Sequence, residues 1–136
     1  LQKNGVKILF DSIAVQPGKP TTFGIKNKKR VFGLPGNPVS SFLQFELLVK
    51  PLIFKMMGRT DAEPELLFPF GQDFTRKKSE RRVFIPVRLL PNSSLTPVNY
   101  HGSGHIHALH GAFGFVSLEP GKTSIKKGEY VHVRPI

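Results

Sequence analysis

Residues 33 to 41 read Gly33-Leu34-Pro35-Gly36-Asn37-Pro38-Val39-Ser40-Ser41, GLPGNPVSS. RVF (30–32) leads into this stretch, and the long apolar segment FLQFELLVKPLIFKMMG (42–58) leads out of it. A strand-to-helix junction needs one good cap. This one carries two glycines, two prolines, an asparagine and two serines. Asn37 suits the N-cap, because its side-chain oxygen can accept an orphan backbone N–H. Pro38 suits the first helical position, where no N–H is needed. Phe42, Phe45, Val49 and Leu52 recur at spacings of three and four and predict one apolar stripe. Pro51 predicts a kink or a restart of the helix. Gly58 predicts its stop.

Working outward, VKILFDSIAV (6–15) reads as a strand, QPGKP (16–20) as a loop and TTFGI (21–25) as a short strand. KNKKR (26–30) reads as a tight turn with Asn27 suited to positive φ, and RVFGL (30–34) as the second strand of that hairpin or a core strand. Strand, loop, strand, helix is α/β grammar. RTDAEPE (59–65) changes the composition and marks a boundary. Beyond it strands are expected near RRVFIPVRLL, LTPVNY, AFGFVSLE and EYVHVRP, with turn segments between them, as in a small sandwich or barrel. GSGHIHALHG (102–111) reads as a short helix between strands.

The chain has 136 residues, 39% hydrophobic and 21% charged, an ordinary globular composition. It lacks cysteine, which excludes disulfides and thiolate zinc sites. No apolar run approaches the roughly 20 residues of a membrane span, and no signal peptide is visible, so a cytoplasmic protein is expected. The first residue is Leu1, and the opening LQKNGVKILF reads as the end of a helix followed by a turn and a strand. The chain is expected to be the C-terminal piece of a longer protein. Net charge is +11, from 20 basic and 9 acidic residues. Residues 1–60 hold 10 basic and 2 acidic residues (+8), and residues 61–136 hold 10 and 7 (+3). Such a balance favours anionic partners.

GLPGNP offers the open N–H groups and positive dipole end of a helix N-terminus. A glycine just before it lets a ligand approach the backbone, which is the arrangement of an anion site. Ser40 and Ser41 add hydroxyls; the plain alternative is capping and packing. In QPGKP, Lys19 stands between a glycine and a proline, a point charge for an oxyanion presented from a stiff backbone. The plain alternative is a solvated lysine in a turn. GSG (102–104) is a further close-approach loop. His101, His105, His107 and His110 lie near one another, but no single geometry gathers three, and no carboxylate lies among them. They read as surface or cleft histidines, not as a metal site. RKKSERR (76–82) is the densest charge run and reads as a solvated loop. It lacks the interleaved aromatics that stack bases. No nucleophile–base pair, catalytic carboxylate pair or Walker loop is visible, so no catalytic residue is named.

The ordered set PGKP, GLPGNPVSS, a helix bearing Phe45-Glu46, a boundary, and a β region with GSG, EP and KGE before a hydrophobic end resembles the C-terminal part of the molybdopterin molybdenumtransferase family, MoeA and the E domain of gephyrin. FGLPGNPVSSFLQFE (32–46) and VQPGKPTTFG (15–24) carry the resemblance most specifically, and it runs over nearly the whole chain. It implies an α+β chain: residues 1–63 the back half of a three-layer α/β molybdopterin-binding domain, and residues 64–136 a small all-β barrel. The implied activity is insertion of molybdate into adenylylated molybdopterin with Mg2+ during molybdenum cofactor biosynthesis, by a homodimer. The implied partners are small pterin and oxyanion substrates, with no nucleic acid and no membrane. Carried over residue by residue, Pro17, Gly18, Lys19 and Pro20 match the loop near the pterin phosphate and molybdate. Pro35, Gly36, Asn37, Pro38 and Ser40 match the loop at the same cleft. Arg81 or Arg82 falls near an arginine facing the oxyanion, and Gly102 and Ser103 match a glycine-serine segment.

Three positions depart from the family pattern. Gln16 replaces a frequent lysine, His107-Ala108 a frequent serine pair, and Pro86 falls near a frequent second arginine. The acids that serve metal and adenylate chemistry belong to a preceding part of the family's chain, so this piece alone is expected to be inert. An exposed sheet edge in residues 1–63 predicts self-association of the piece. Two other functions compete. A nucleic-acid-binding basic barrel requires a basic stripe on the β region, and the location of the excess charge before residue 60 speaks against it. A scaffold derived from the same family would keep the fold and lose the chemistry.

Overall fold

The computed structural model describes residues 1–59, 64–77, 80–98 and 109–136. The chain divides into two compact units, Leu1–Thr60 and Asp61–Ile136.

In the first unit a single 3-10 turn, Gln2–Asn4, ends at Gly5 in the left-handed region. Strand β1 (Lys7–Phe10) follows, then the two-residue β2 (Val15–Gln16), β3 (Thr22–Lys26) and β4 (Lys29–Gly33). The expected strand over 6–15 is therefore broken. The Ile13 N–H is drawn to the Lys19 carbonyl (3.0 Å), which turns the chain out of the ladder. β3 and β4 form a hairpin from Thr22↔Gly33 to Lys26↔Lys29, and Asn27 at its tip has φ 55. Asparagine tolerates that left-handed conformation, which a two-residue hairpin loop requires. β1 adds antiparallel to β3, so the sheet order is β1-β3-β4 and both ladders are antiparallel.

The helical run starts at Pro38. Helix α1 (Pro38–Gln44) passes through a π-turn (Phe45–Val49) into α2 (Lys50–Met56). The Lys50 N–H reaches back five residues to the Phe45 carbonyl. Pro51 has no N–H to give the ladder and its ring crowds the preceding turn. The widened π register is how the helix accommodates it without a break. At the far end, Gly58 (φ 83) donates to the Lys55 carbonyl and Arg59 to the Phe54 carbonyl, the paired bonds of a Schellman stop. The buried face differs from the expected stripe. Val39, Ser40, Leu43, Gln44 and Glu46 are buried, whereas Phe45 is 37% exposed. The extra residue in the π-turn changes the phase of the helix in the middle of the pattern from which the stripe was read.

The described part of the second unit is built mainly of strands. Its strands are β5 (Leu66–Pro69), β6 (Phe74–Thr75), β7 (Arg82–Leu89), β8 (Leu95–Pro97), β9 (Gly114–Leu118), β10 (Ser124–Ile125) and β11 (Tyr130–Pro135). Antiparallel ladders join β8-β7-β9-β11-β5 in that order, and β10 pairs β6 separately. No closed barrel ladder forms among the described residues. The outer strands meet through one parallel bridge, Phe70↔Leu95, backed by a Gly71 N–H to Leu95 carbonyl bond of 2.7 Å. The result is a curled, open sheet. Its core gathers Phe70, Ile85, Val87, Leu95, Val116 and Val133. Each buried apolar side chain of this size contributes about 1.5–3 kcal/mol. Alternation sets the faces: Val131 and Val133 point inward while His132 between them is exposed. β5, β6 and β10 lie outside the strands expected from the sequence.

Candidate functional site

The two proline-framed loops of the first unit are tied to one another. The first is cis at Gln16–Pro17 and places Gly18 at φ 109. The Thr21 hydroxyl, fully buried, donates to the Gly18 carbonyl (2.7 Å). The Lys19 carbonyl accepts from the backbone N–H groups of Ile13 (3.0 Å) and Thr21 (2.9 Å). The loop backbone is thus fixed from within, while the side chains of Lys19 and Pro20 are exposed. The second loop runs Pro35–Asn37 into α1. Asn37 has extended backbone (φ −72, ψ 123), and its Oδ1 accepts from the Ser40 N–H (3.1 Å). Pro38 occupies the first turn. Ser40 is buried, Pro35 half-buried and Gly36 exposed. The expected capping roles of Asn37 and Pro38 are both present.

The link between the loops is Gln44, on the helix that Asn37 starts. Its side-chain amide Nε2 donates to the Pro17 carbonyl (3.1 Å). Gly18 lies so close to the same side chain that a Cβ there would stand 2.3 Å from Nε2. Nothing local in the sequence singles out Gln44, because no pattern marks a glutamine inside a helix as buried.

The glycines of these loops have different causes. Gly18 is required by its positive φ and by the contact with Gln44. At Gly36 a Cβ would meet no described residue within 4 Å, and the backbone is not left-handed. Packing and conformation give no reason for glycine there.

In the second unit Arg81 is half-buried. Arg82 is exposed and committed to Glu119 through its Nη2 (2.7 Å to Oε2, 2.6 Å to Oε1). The charge run holding them is not a solvated loop throughout. Arg76 donates from Nε to the Lys122 carbonyl (2.8 Å), from Nη1 to Arg81 (2.8 Å) and from Nη2 to Glu119 (2.7 Å). One guanidinium fork fastens three backbone carbonyls, at Arg81 and in the Glu119–Lys122 turn. Pro86 is fully buried in β7, where no side chain could reach an oxyanion outside the core. Two residues on, Arg88 is exposed and donates to the His110 carbonyl (3.2 Å). Gly102, Ser103 and the segment with His101, His105, His107 and Ala108 lie outside the described residues. Among the described residues no group of three His, Asp or Glu side chains is placed to hold a metal ion. No described helix is long and apolar enough to cross a membrane.

Two family models match, and they divide the chain much as its units do. Residues 1–55 match a probable molybdopterin-binding domain, and residues 71–136 match the MoeA C-terminal region, domain IV. Among curated proteins, the molybdopterin molybdenumtransferases of Staphylococcus epidermidis and Staphylococcus aureus are each 32% identical over 130 residues, 93% of this chain and 31% of theirs. Among solved structures, the molybdopterin biosynthesis MoeA protein of Pyrococcus horikoshii superposes with TM-score 0.84 at 34% identity, over 98% of this chain and 33% of that one. A molybdenum cofactor biosynthesis protein of Pyrococcus furiosus gives TM-score 0.82 at 27% identity, over 96% of this chain and 46% of that one. The matched domains follow one another in the order of the MoeA C-terminal part, and the fold mixes α and β structure. The chain belongs to the MoeA family of molybdopterin molybdenumtransferases. It spans about a third of the length of the curated relatives it matches.

Proposed function

We propose that this chain forms the C-terminal part of a molybdopterin molybdenumtransferase, which inserts molybdate into adenylylated molybdopterin. The curated relatives are named molybdopterin molybdenumtransferases, and residues 1–55 match a probable molybdopterin-binding domain. The observation that carries the reading is Gly36. Among the described residues nothing stands within 4 Å of where a Cβ would be, which leaves room for a ligand to lie against the backbone.

Each residue of the two loops then has a task. Lys19 supplies a positive point charge toward phosphate or molybdate oxygens. The Ser40 N–H is taken by Asn37 Oδ1 and the Ser41 N–H by the Asn37 carbonyl (2.8 Å), and Pro38 has none. Asn37 thereby closes the first turn of the helix from within. Arg81 is the second unit's proposed oxyanion contact, since Arg82 is engaged with Glu119; Gly102 and Ser103 are proposed as further contacts. Among the described residues no group of three acids or histidines is placed to hold Mg2+. The proposal includes a cytoplasmic homodimer, and a chain that does not turn over without the remainder of the enzyme.

The test is Gly36→Ala in the full-length encoded protein, by titration calorimetry with adenylylated molybdopterin. Melting should stay within about 2 °C of wild type, because the new methyl meets open space. Affinity should fall tenfold or more, about 1.4 kcal/mol. Undiminished affinity would remove the reason for placing the ligand against this loop.

A further inference from the structure

The side chain of Gln44 is fully buried, yet only half of its amide is used. Nε2 donates to the Pro17 carbonyl at 3.1 Å, whereas Oε1 is buried with no hydrogen-bond partner among the described residues. A buried amide with one open end is an expensive way to fill space. A Leu or Met of similar volume would fill it without that cost. What an apolar residue cannot do is hold the Pro17 carbonyl. The chain around that carbonyl is the segment that presents Lys19. Gly18 lies flat against the Gln44 side chain, with room for no Cβ, and the Gly18 carbonyl is bound by Thr21.

We propose that Gln44 is a positioning residue for the anion-holding loops, a role that rests on the function proposed above. It does not touch the ligand. Its Nε2–H locks the Pro17-Gly18-Lys19 backbone to the same helix whose start is fixed by Asn37, so the lysine and the helix start keep one spacing. Gln44 acts through Lys19.

Four full-length proteins test this: wild type, Gln44→Met, Lys19→Ala and the double variant. The probe is adenylylated molybdopterin, followed by calorimetry, with melting and hydrogen exchange of the 16–22 peptide read alongside. Gln44→Met keeps volume and removes the donor. Its melting temperature is expected at or above that of wild type, its 16–22 exchange faster, and its affinity lower by about tenfold. In the Lys19→Ala background the same change should cost nothing further. If Gln44→Met binds like wild type while Lys19→Ala is weakened, the positioning role is overturned and the proposed function stands. If Gln44→Met weakens binding equally with and without Lys19, Gln44 acts by another route and the proposal is also overturned. If wild type fails to bind the probe, both fall. Should Gln44→Met not fold, Gln44→Glu provides the same comparison: ionised it lacks the donor, and tighter binding at pH 5 than at pH 8, beyond the wild-type change, is expected. A pH dependence equal to that of wild type overturns the role.

Discussion

Gly114 opens β9 between two strands, pairing Pro135 on β11 and Val87 on β7. An alanine there would place its Cβ 2.3 Å from the Arg134 carbonyl oxygen, 2.9 Å from that carbonyl carbon and 2.9 Å from Val133 Cγ2. Ordinary contacts of this kind begin near 3.4 Å, so β9 and β11 would have to part by about 1 Å at this end. β9 cannot retreat without pressing on β7. Overpacking of this kind costs about 1–3 kcal/mol, and loosening one or two ladder bonds adds about 0.5–1.5 kcal/mol each. Gly114→Ala is therefore expected to destabilise the second unit by about 2–4 kcal/mol, with its melting lowered by about 10–25 °C for a unit of this size. The assay is thermal unfolding by circular dichroism, with urea titration as a check that the slope is unchanged. Gly36→Ala, which meets open space, is the control. Gly114→Ala melting within about 2 °C of wild type would refute the register of β9 against β11.

Arg76→Ala removes three charge-assisted bonds to backbone carbonyls and should cost about 2–3 kcal/mol, less than their sum because water replaces part of them; Arg76→Lys should recover under half, since one ammonium cannot reach all three carbonyls, and urea midpoints decide. The Lys122 side chain and the Lys126 N–H hold the Glu129 carboxyl below its ordinary range. A lowered folded-state value gives stability that is present above the ordinary glutamate range near 4.3 and is lost as pH falls through the folded value. Wild type should therefore lose more melting temperature than Glu129→Gln between about pH 5 and pH 3, and parallel curves would deny the interaction a role.

Features decided by neighbouring residues were legible. Asn37 with Pro38, Asn27 in the hairpin and Gly58 at the helix end are each fixed by one or two local bonds that residue type announces. Features decided by distant contacts were not. The charge of Arg76 announced water, but its partners lie more than forty residues away at Glu119 and Lys122. The buried face of the helix was read as Phe42, Phe45, Val49 and Leu52, a stripe that holds only for an unbroken 3.6-residue period. Of the candidate site, the cap at Asn37 and Pro38 was legible and the glutamine joining the two loops was not, since burial of a polar helix residue is settled by what packs on it.

The π-turn before Pro51 also bears on how this helix can change over time. A residue inserted into an α-helix rotates everything after it by roughly 100°, which usually misplaces a whole face. Here the chain carries such an insertion already, absorbed locally between Phe45 and Val49. The segment before it, anchored through Val39, Leu43 and Gln44, and the segment after it, with Ile53 and Met56 exposed, are out of phase. Losing one residue within the bulge would bring the two halves back into phase while leaving the Asn37 end in place. Length variation in this helix should therefore concentrate at that one turn, with its C-terminal half swinging as a unit and its N-terminal half held still.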